Sequence, residues 1–117
     1  MKCTYNEDLE QYEYLYGGIL FVWEDEPGEE TEELVKTLAQ NYRTRLDSIV
    51  EFMLPDIKEI YGVSDPEEIK EKLGRPQIDY DMGQLTYLDH VFDFIHIFTI
   101  EFNDDKFEDL QYFSIDG

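Results

Sequence analysis

One cysteine, Cys3, occurs in the 117 residues. A lone thiol excludes an intrachain disulfide and a cysteine-based zinc knuckle. No apolar run approaches the roughly 18–20 residues needed to cross a bilayer. The opening "MKCTYNEDLE" lacks the apolar stretch of a secretory signal. A free thiol and no signal together give the expectation of a cytoplasmic protein. Basic residues are also scarce, nine against 29 acids, for a net charge of −20 and a pI near 4.1. Such a field repels phosphates. It argues against direct nucleic-acid or anionic-membrane partners and in favour of cationic ones, a basic protein surface or metal ions. Acidity also serves solubility or a salt-adapted host, so charge alone names no function.

What is present suffices for one domain, residues 1–117, with one core: 42% of residues are hydrophobic and 15% aromatic. The charge is unevenly spread. Residues 36–75 hold seven of the nine basic groups against eight acids, while the two flanks hold 21 acids against Lys2 and Lys106. The near-neutral middle reads as helix. From Thr31, Leu34, Leu38, Tyr42, Leu46, Ile49 and Met53 recur at spacings of three and four. Thr31 is the expected N-cap, Pro55 a kink or an end, and Gly62 a stop. "SDPEEIKEKLG" predicts a second, short helix capped by Ser64 or Asp65, burying Ile69 and Leu73, and closed by Gly74.

The flanks read as strands: "YEYLYGGILFVWE" with Gly17-Gly18 as turn or bulge, "PQIDYDMG", "QLTYLDH", Asp93–Phe102 and "LQYFSID". The expected fold is α+β, in the order β-β-α-α-β-β-β-β. An antiparallel sheet of five to six strands carries both helices on one face. The other face then shows Asp79, Asp81, Thr99 and Glu101.

Both histidines lie in "HVFDFIHIFTIEF", at His90 and His96. In an extended strand His96 shares a face with Phe94, Phe98, Ile100 and Phe102, and Asp93 and Glu101 project from the other. Six residues of strand separate the two imidazoles by about 20 Å, so they share a metal only if the chain folds between them. No metal and no cofactor is therefore assigned. Ile95 and Ile97 fall on the acidic side, either covered by another element or central to an acid-rimmed binding surface. "NDDKFEDL" lacks the central Gly of a calcium loop and puts Phe107 in its middle, so it reads as a solvated turn. Cys3, Ser48, Ser64 and Ser114 sit in no nucleophile motif, and the glycines form no phosphate loop. These absences favour a binding protein over an enzyme.

Surface features remain. "WEDEPGEETEE" crowds Glu24, Asp25, Glu26, Glu29, Glu30, Glu32 and Glu33 into eleven residues. This is either a solvated lead into the helix or a steering patch for a basic partner. Tyr12, Tyr14 and Tyr16 alternate around Glu13, and Tyr80 lies between Asp79 and Asp81. Such tyrosines serve as interface anchors or as core side chains with hydroxyls at the rim. The candidate contact set is Glu24, Asp25, Glu26, Glu29, Glu30, Glu32, Glu33, Asp79, Tyr80, Asp81, Asp93 and Glu101.

The run "LGRPQIDYDMGQLTYLDHVFDFIHIFTIEF" and the terminal "YFSIDG" resemble the small acidic immunity proteins of bacterial contact-dependent and polymorphic toxin systems. The likeness covers roughly the C-terminal 45 residues and brings no catalytic motif with it. It implies a cytoplasmic protein that binds a toxin domain, often a basic nuclease, and blocks its active site. Three alternatives stay open: a binding module without a toxin, a DNA-mimic inhibitor, and a metal-dependent enzyme using His90 and His96.

Overall fold

The computed structural model describes residues 3–117. Three strands come first, β1 (Thr4–Asn6), β2 (Gln11–Tyr16) and β3 (Ile19–Trp23). Two helices follow, α1 (Thr31–Tyr61) and α2 (Pro66–Leu73), then β4 (Pro76–Asp79), β5 (Gln84–Tyr87), β6 (Ile97–Phe102) and β7 (Leu110–Asp116). The fold is α+β with a mostly antiparallel sheet, and two expectations need correction. The sheet has seven strands rather than five or six, because β1 adds a short edge ahead of the two strands expected there. The pairing is also not wholly antiparallel: β3 and β4 run parallel, Val22 opposite Asp79. Two helices intervene between these strands, and a crossover of that length returns the chain to the same end of the sheet.

Spatial order follows chain order from β1 to β7. Strand alternation gives the sheet two unlike faces. Phe21, Ile78, Leu85, Tyr87, Phe98 and Ile100 are wholly buried on one face, in a single cluster with Val35, Leu38, Ile49, Met53, Ile57, Ile69 and Leu73 of the helices. Each such aliphatic or aromatic side chain contributes roughly 1.5–3 kcal/mol by leaving water. Tyr42 and Tyr87 bring hydroxyls into this core and bond each other at 2.6 Å, so neither is left unpaired. Burial pushes the Tyr42 hydroxyl up to about 12.

Helix α1 touches both β2 and β7 and so lies obliquely across the sheet. Of the expected stripe, Leu38, Tyr42, Ile49 and Met53 are buried while Leu34 and Leu46 are half-buried, and Val35, Ala39, Val50 and Ile57 join the buried face. Pro55 sits inside the helix without ending it. Both Pro55 and Glu51, whose carbonyl loses its helical partner, are exposed. Gly62 ends α1 in the left-handed region at φ 72°, with its N–H on the Lys58 carbonyl. The expected cap at Thr31 lies one residue off: Glu30 is the N-cap, without a side-chain bond, and Thr31 is the first helical residue. Asp65 caps α2, accepting from the Glu67 N–H at 3.2 Å.

Candidate interaction surfaces

Among the described residues, both helices pack on one face of the sheet, and the other face is open. One row of side chains crosses all seven strands on it: Thr4, Glu13, Val22, Asp79, Gln84, Glu101 and Tyr112. A second row holds Leu15, Leu20, Gln77, Thr86, Thr99 and Ser114. No strand contains a Lys or an Arg. The described basic residues lie on α1, on α2 and in the loops, so the sheet face is left to its carboxylates. A hollow of about 340 Å3 lies on this face among Gln84, Thr99, Glu101, Tyr112, Ser114 and Asp116.

The register gathers four connections at one end of the sheet. They are residues 7–10, 24–30, 80–83 and 103–109. The first holds Glu7, Asp8 and Glu10. The second holds Glu24, Asp25, Glu26, Glu29 and Glu30, the third Asp81, and the fourth Asp104, Asp105, Glu108 and Asp109. Lys106 is the only base among them. Three of these connections are folded by their own polar side chains. Asn6 Oδ1 accepts from the Asp8 and Leu9 amides, and Asp79 Oδ1 from the Met82 amide. Asp104 Oδ1 accepts from the Glu108 and Asp109 amides. Phe107 adopts φ 57° and is wholly buried, with its ring 4.9 Å from that of Phe102. The 103–109 turn is thereby pinned to the core by the residue that spoils a calcium loop.

Crowding of carboxylates leaves a mark on Asp79. Its carboxyl is pushed above the usual range, first by desolvation and then by Asp81 and Glu24, against the lowering bond from Met82. Glu24, Asp25, Glu26, Glu29, Glu30 and Glu33 are exposed, and Glu32 is half-buried beside Lys36 at 3.7 Å. Tyr80 and Asp81 lie in the turn after β4. The expected continuation of that strand through Met82 is corrected, since Met82 is exposed in the turn. Cys3 is half-buried, its thiol raised by desolvation and by Glu26, the opposite of what an attacking thiolate needs.

The opposite end is built differently. Residues 93–96, expected at the start of a strand from Asp93, belong instead to a loop, and β6 starts only at Ile97. The chain folds between the histidines, bringing His90 Nε2 within 2.7 Å of the His96 carbonyl. The 20 Å separation and the placement of His96 among the phenylalanines are therefore both corrected. His90 is buried and stacks on Phe98, centroids 3.9 Å apart. Its Nε2 donates to the His96 carbonyl and its Nδ1 accepts from the Phe92 N–H, which fixes a neutral ring with the proton on Nε2.

Asp93 does not project from the open sheet face. Its carboxylate accepts from the Ile95 and His96 amides, from His96 Nδ1 at 2.7 Å and from the Tyr61 hydroxyl at 2.5 Å. The Tyr61 bond is the largest of the causes that hold its carboxyl well below the usual range, ahead of the bonds from His96 and Ile95. Tyr61 in turn is raised to about 12, by desolvation and by Asp93. Further ties bind the loop to α2: the Val91 N–H donates to the Lys72 carbonyl, and Lys72 Nζ lies over the Phe92 ring. Gly74 is held at φ 71°, where an added Cβ would meet the Asp89 carbonyl at 2.7 Å.

With its polar groups turned inward, the loop turns apolar ones outward. Phe94 is 92% and Ile95 73% exposed, flanked by Leu88, Val91 and Ile97. Of the candidate contact residues, Glu24 to Glu33, Asp79, Tyr80, Asp81 and Glu101 converge on the acidic end and its adjoining face, whereas Asp93 lies at the far end. Sequence reasoning missed Glu7, Asp8 and Glu10 as members of that end, since without β1 the first turn had no place. Among the described residues, no three His, Cys, Asp or Glu side chains are grouped to hold a metal ion. Among those residues also, no helix is long and apolar enough to cross a membrane. No protein family, no curated protein and no solved structure matches the chain.

Proposed function

We propose that this is a binding protein that neutralises a basic protein partner. In this reading it is an immunity protein that occludes the cationic groove of a nuclease-like bacterial toxin domain, working by binding rather than catalysis. The observation that carries the reading is the meeting of four acidic connections, with Lys106 as their only base, at one end of a sheet whose strands contain no Lys or Arg. Surfaces of one sign focus the field and raise the encounter rate with a partner of the other sign. A nuclease domain must attract phosphate, so its groove presents the matching charge. Three of the four connections are internally bonded, so their backbone is already placed and docking orders chiefly the exposed side chains. The free thiol of Cys3 suits a reducing cytoplasm.

The test begins with capture of the partner from native cells by the tagged protein, and its identification by mass spectrometry. The purified pair is then titrated across ionic strength. Affinity should fall by roughly tenfold or more between about 50 and 300 mM salt, because the charges lie in solvent and are screened. Affinity that ignores salt would overturn the electrostatic part of the proposal.

A further inference from the structure

Strand β7 forms one edge of the sheet and runs for seven residues with neither Pro nor Lys, whereas the opposite edge, β1, has only three residues. A bulge at Gln111, opposite the step from Glu101 to Phe102, interrupts only its start and leaves Tyr112 to Asp116 regularly paired. Among the described residues, no strand lies beyond the outer backbone N–H and C=O groups of β7. The core is also left partly uncovered there. Helix-facing side chains on β4, β5 and β6 are buried, but Phe113 and Ile115 are only half-buried. A groove of about 220 Å3 runs along this edge, walled by Asp56 and Ile60 of α1 and floored by residues 112–116.

The exposed loop adjoins the same edge. Ile97 pairs with Asp116, and the Ile95 carbonyl lies 2.8 Å from where a side chain on Gly117 would begin. Ile60 precedes Tyr61, which bonds Asp93 of that loop. One continuous strip therefore presents unpaired backbone, aliphatic side chains and the carboxylates Asp56 and Asp116, with no basic group in any strand.

We infer that β7 accepts an extended segment of the basic partner as an eighth strand, with alternating side chains: apolar ones over Phe113, Ile115 and Ile60, and Lys or Arg towards Glu101 and Asp116. Main-chain bonds supply the pairing, and the alternation supplies the selectivity. This inference rests on the basic-partner reading and names where the partner's chain would run. A second copy of this protein is the poorer occupant, since each chain carries a net charge of −20.

The probe is an end-blocked peptide of alternating Lys and Val, about eight residues long to match a typical strand. Its controls are a peptide of equal composition with Lys and Val in separate blocks, and the alternating peptide N-methylated at every second residue. Amide NMR and hydrogen exchange on the full chain give the readout. With the alternating peptide near ten times its dissociation constant, exchange at amides within 111–116 should slow by about tenfold. Neither control should do so, and Ile60→Ser should weaken the alternating peptide by roughly tenfold with the circular dichroism unchanged. Equal effects from all three peptides, no slowing at β7, or a dimer already protecting β7 without peptide would each overturn the inference. Shifts confined to the acidic connections with every peptide would overturn it too, while leaving the basic-partner reading intact.

Discussion

At one end of the sheet, Asn6, Asp79 and Asp104 bond backbone amides of the adjoining turns, and most of the remaining carboxylates are exposed. At the other end, His90 and Asp93 are consumed inside a loop, and Phe94 and Ile95 point to water. Both ends use the same device, a short polar side chain that satisfies local amides, yet they present opposite chemistry. Placement decides the outcome. The acidic end has many carboxylates and needs only three of them or their amide kin for folding. The far end has Asp89 and Asp93 alone as its acids in residues 88–96, and Asp93 is fully committed to the loop. A charged end suits long-range attraction, and an apolar end suits contact at short range.

The sharpest way to break this contrast is at His90. His90→Ala removes a buried ring from Phe98 and strands the Phe92 N–H and the His96 carbonyl, a loss of roughly 2–4 kcal/mol. Urea unfolding should report that loss, and amides 91–96 should lose exchange protection while the acidic connections keep theirs. His90→Phe keeps the stack without the bonds and should fall between. An unchanged loop in His90→Ala would show that the histidine does not organise it.

The two ends also differ in the sign of their response to acid. Asp79 has a raised folded value, so the folded protein holds its proton more tightly than the unfolded chain does. Its contribution is present at low pH and is lost as the pH rises through that value. Asp93 has a depressed value, so its contribution is full above the ordinary 3.8 and drains away as the pH falls below it. Thermal unfolding at neutral pH should therefore show Asp79→Asn neutral or stabilising and Asp93→Asn destabilising. Only Asp93→Asn should flatten the loss of stability in acid. Equal behaviour of the two variants would remove the electrostatic distinction between the ends.

Smallest in stability, and largest in binding, is neutralisation of the 24–30 connection. The triple change Glu24→Gln, Asp25→Asn, Glu26→Gln touches exposed side chains and relieves repulsion. Unfolding free energy should move by no more than about 0.5 kcal/mol. The association rate with a basic partner should drop by roughly tenfold at low salt, with dissociation little altered. A rate unchanged in stopped-flow mixing would remove this connection from the interface.

Much of the fold was legible because periodicity carries it. The stripe from Leu34 to Met53, the Pro66 and Gly74 bounds of α2 and the Gly17-Gly18 hairpin turn all follow from local rules. β1 escaped because three residues, Thr4 to Asn6, hold too little pattern to read; their pairing with β2 is what makes them a strand. The larger miss was "HVFDFIHIF". Its aromatic and β-branched content reads as strand, but the side chains of Asp93 and His90 offer the backbone better bonds than a ladder would. Tyr61, 32 residues away, completes that arrangement, and no local pattern announces such a partner. Likewise, the gathering of four acidic connections depends on the parallel β3–β4 pair. Read as wholly antiparallel, the chain shows seven crowded acids at 24–33 but not the end of the molecule they share with Asp104 and Asp109.

The most direct test of the acidic end as the binding face is amide NMR of the labelled protein mixed with its purified basic partner. Besides any shifts along β7, shifts should fall in residues 24–30, at Asp81 and Glu101, and in 104–109, and these should fade as salt is added. Shifts centred instead on the solvent side of α1, between Arg43 and Lys58, and on α2 would contradict it.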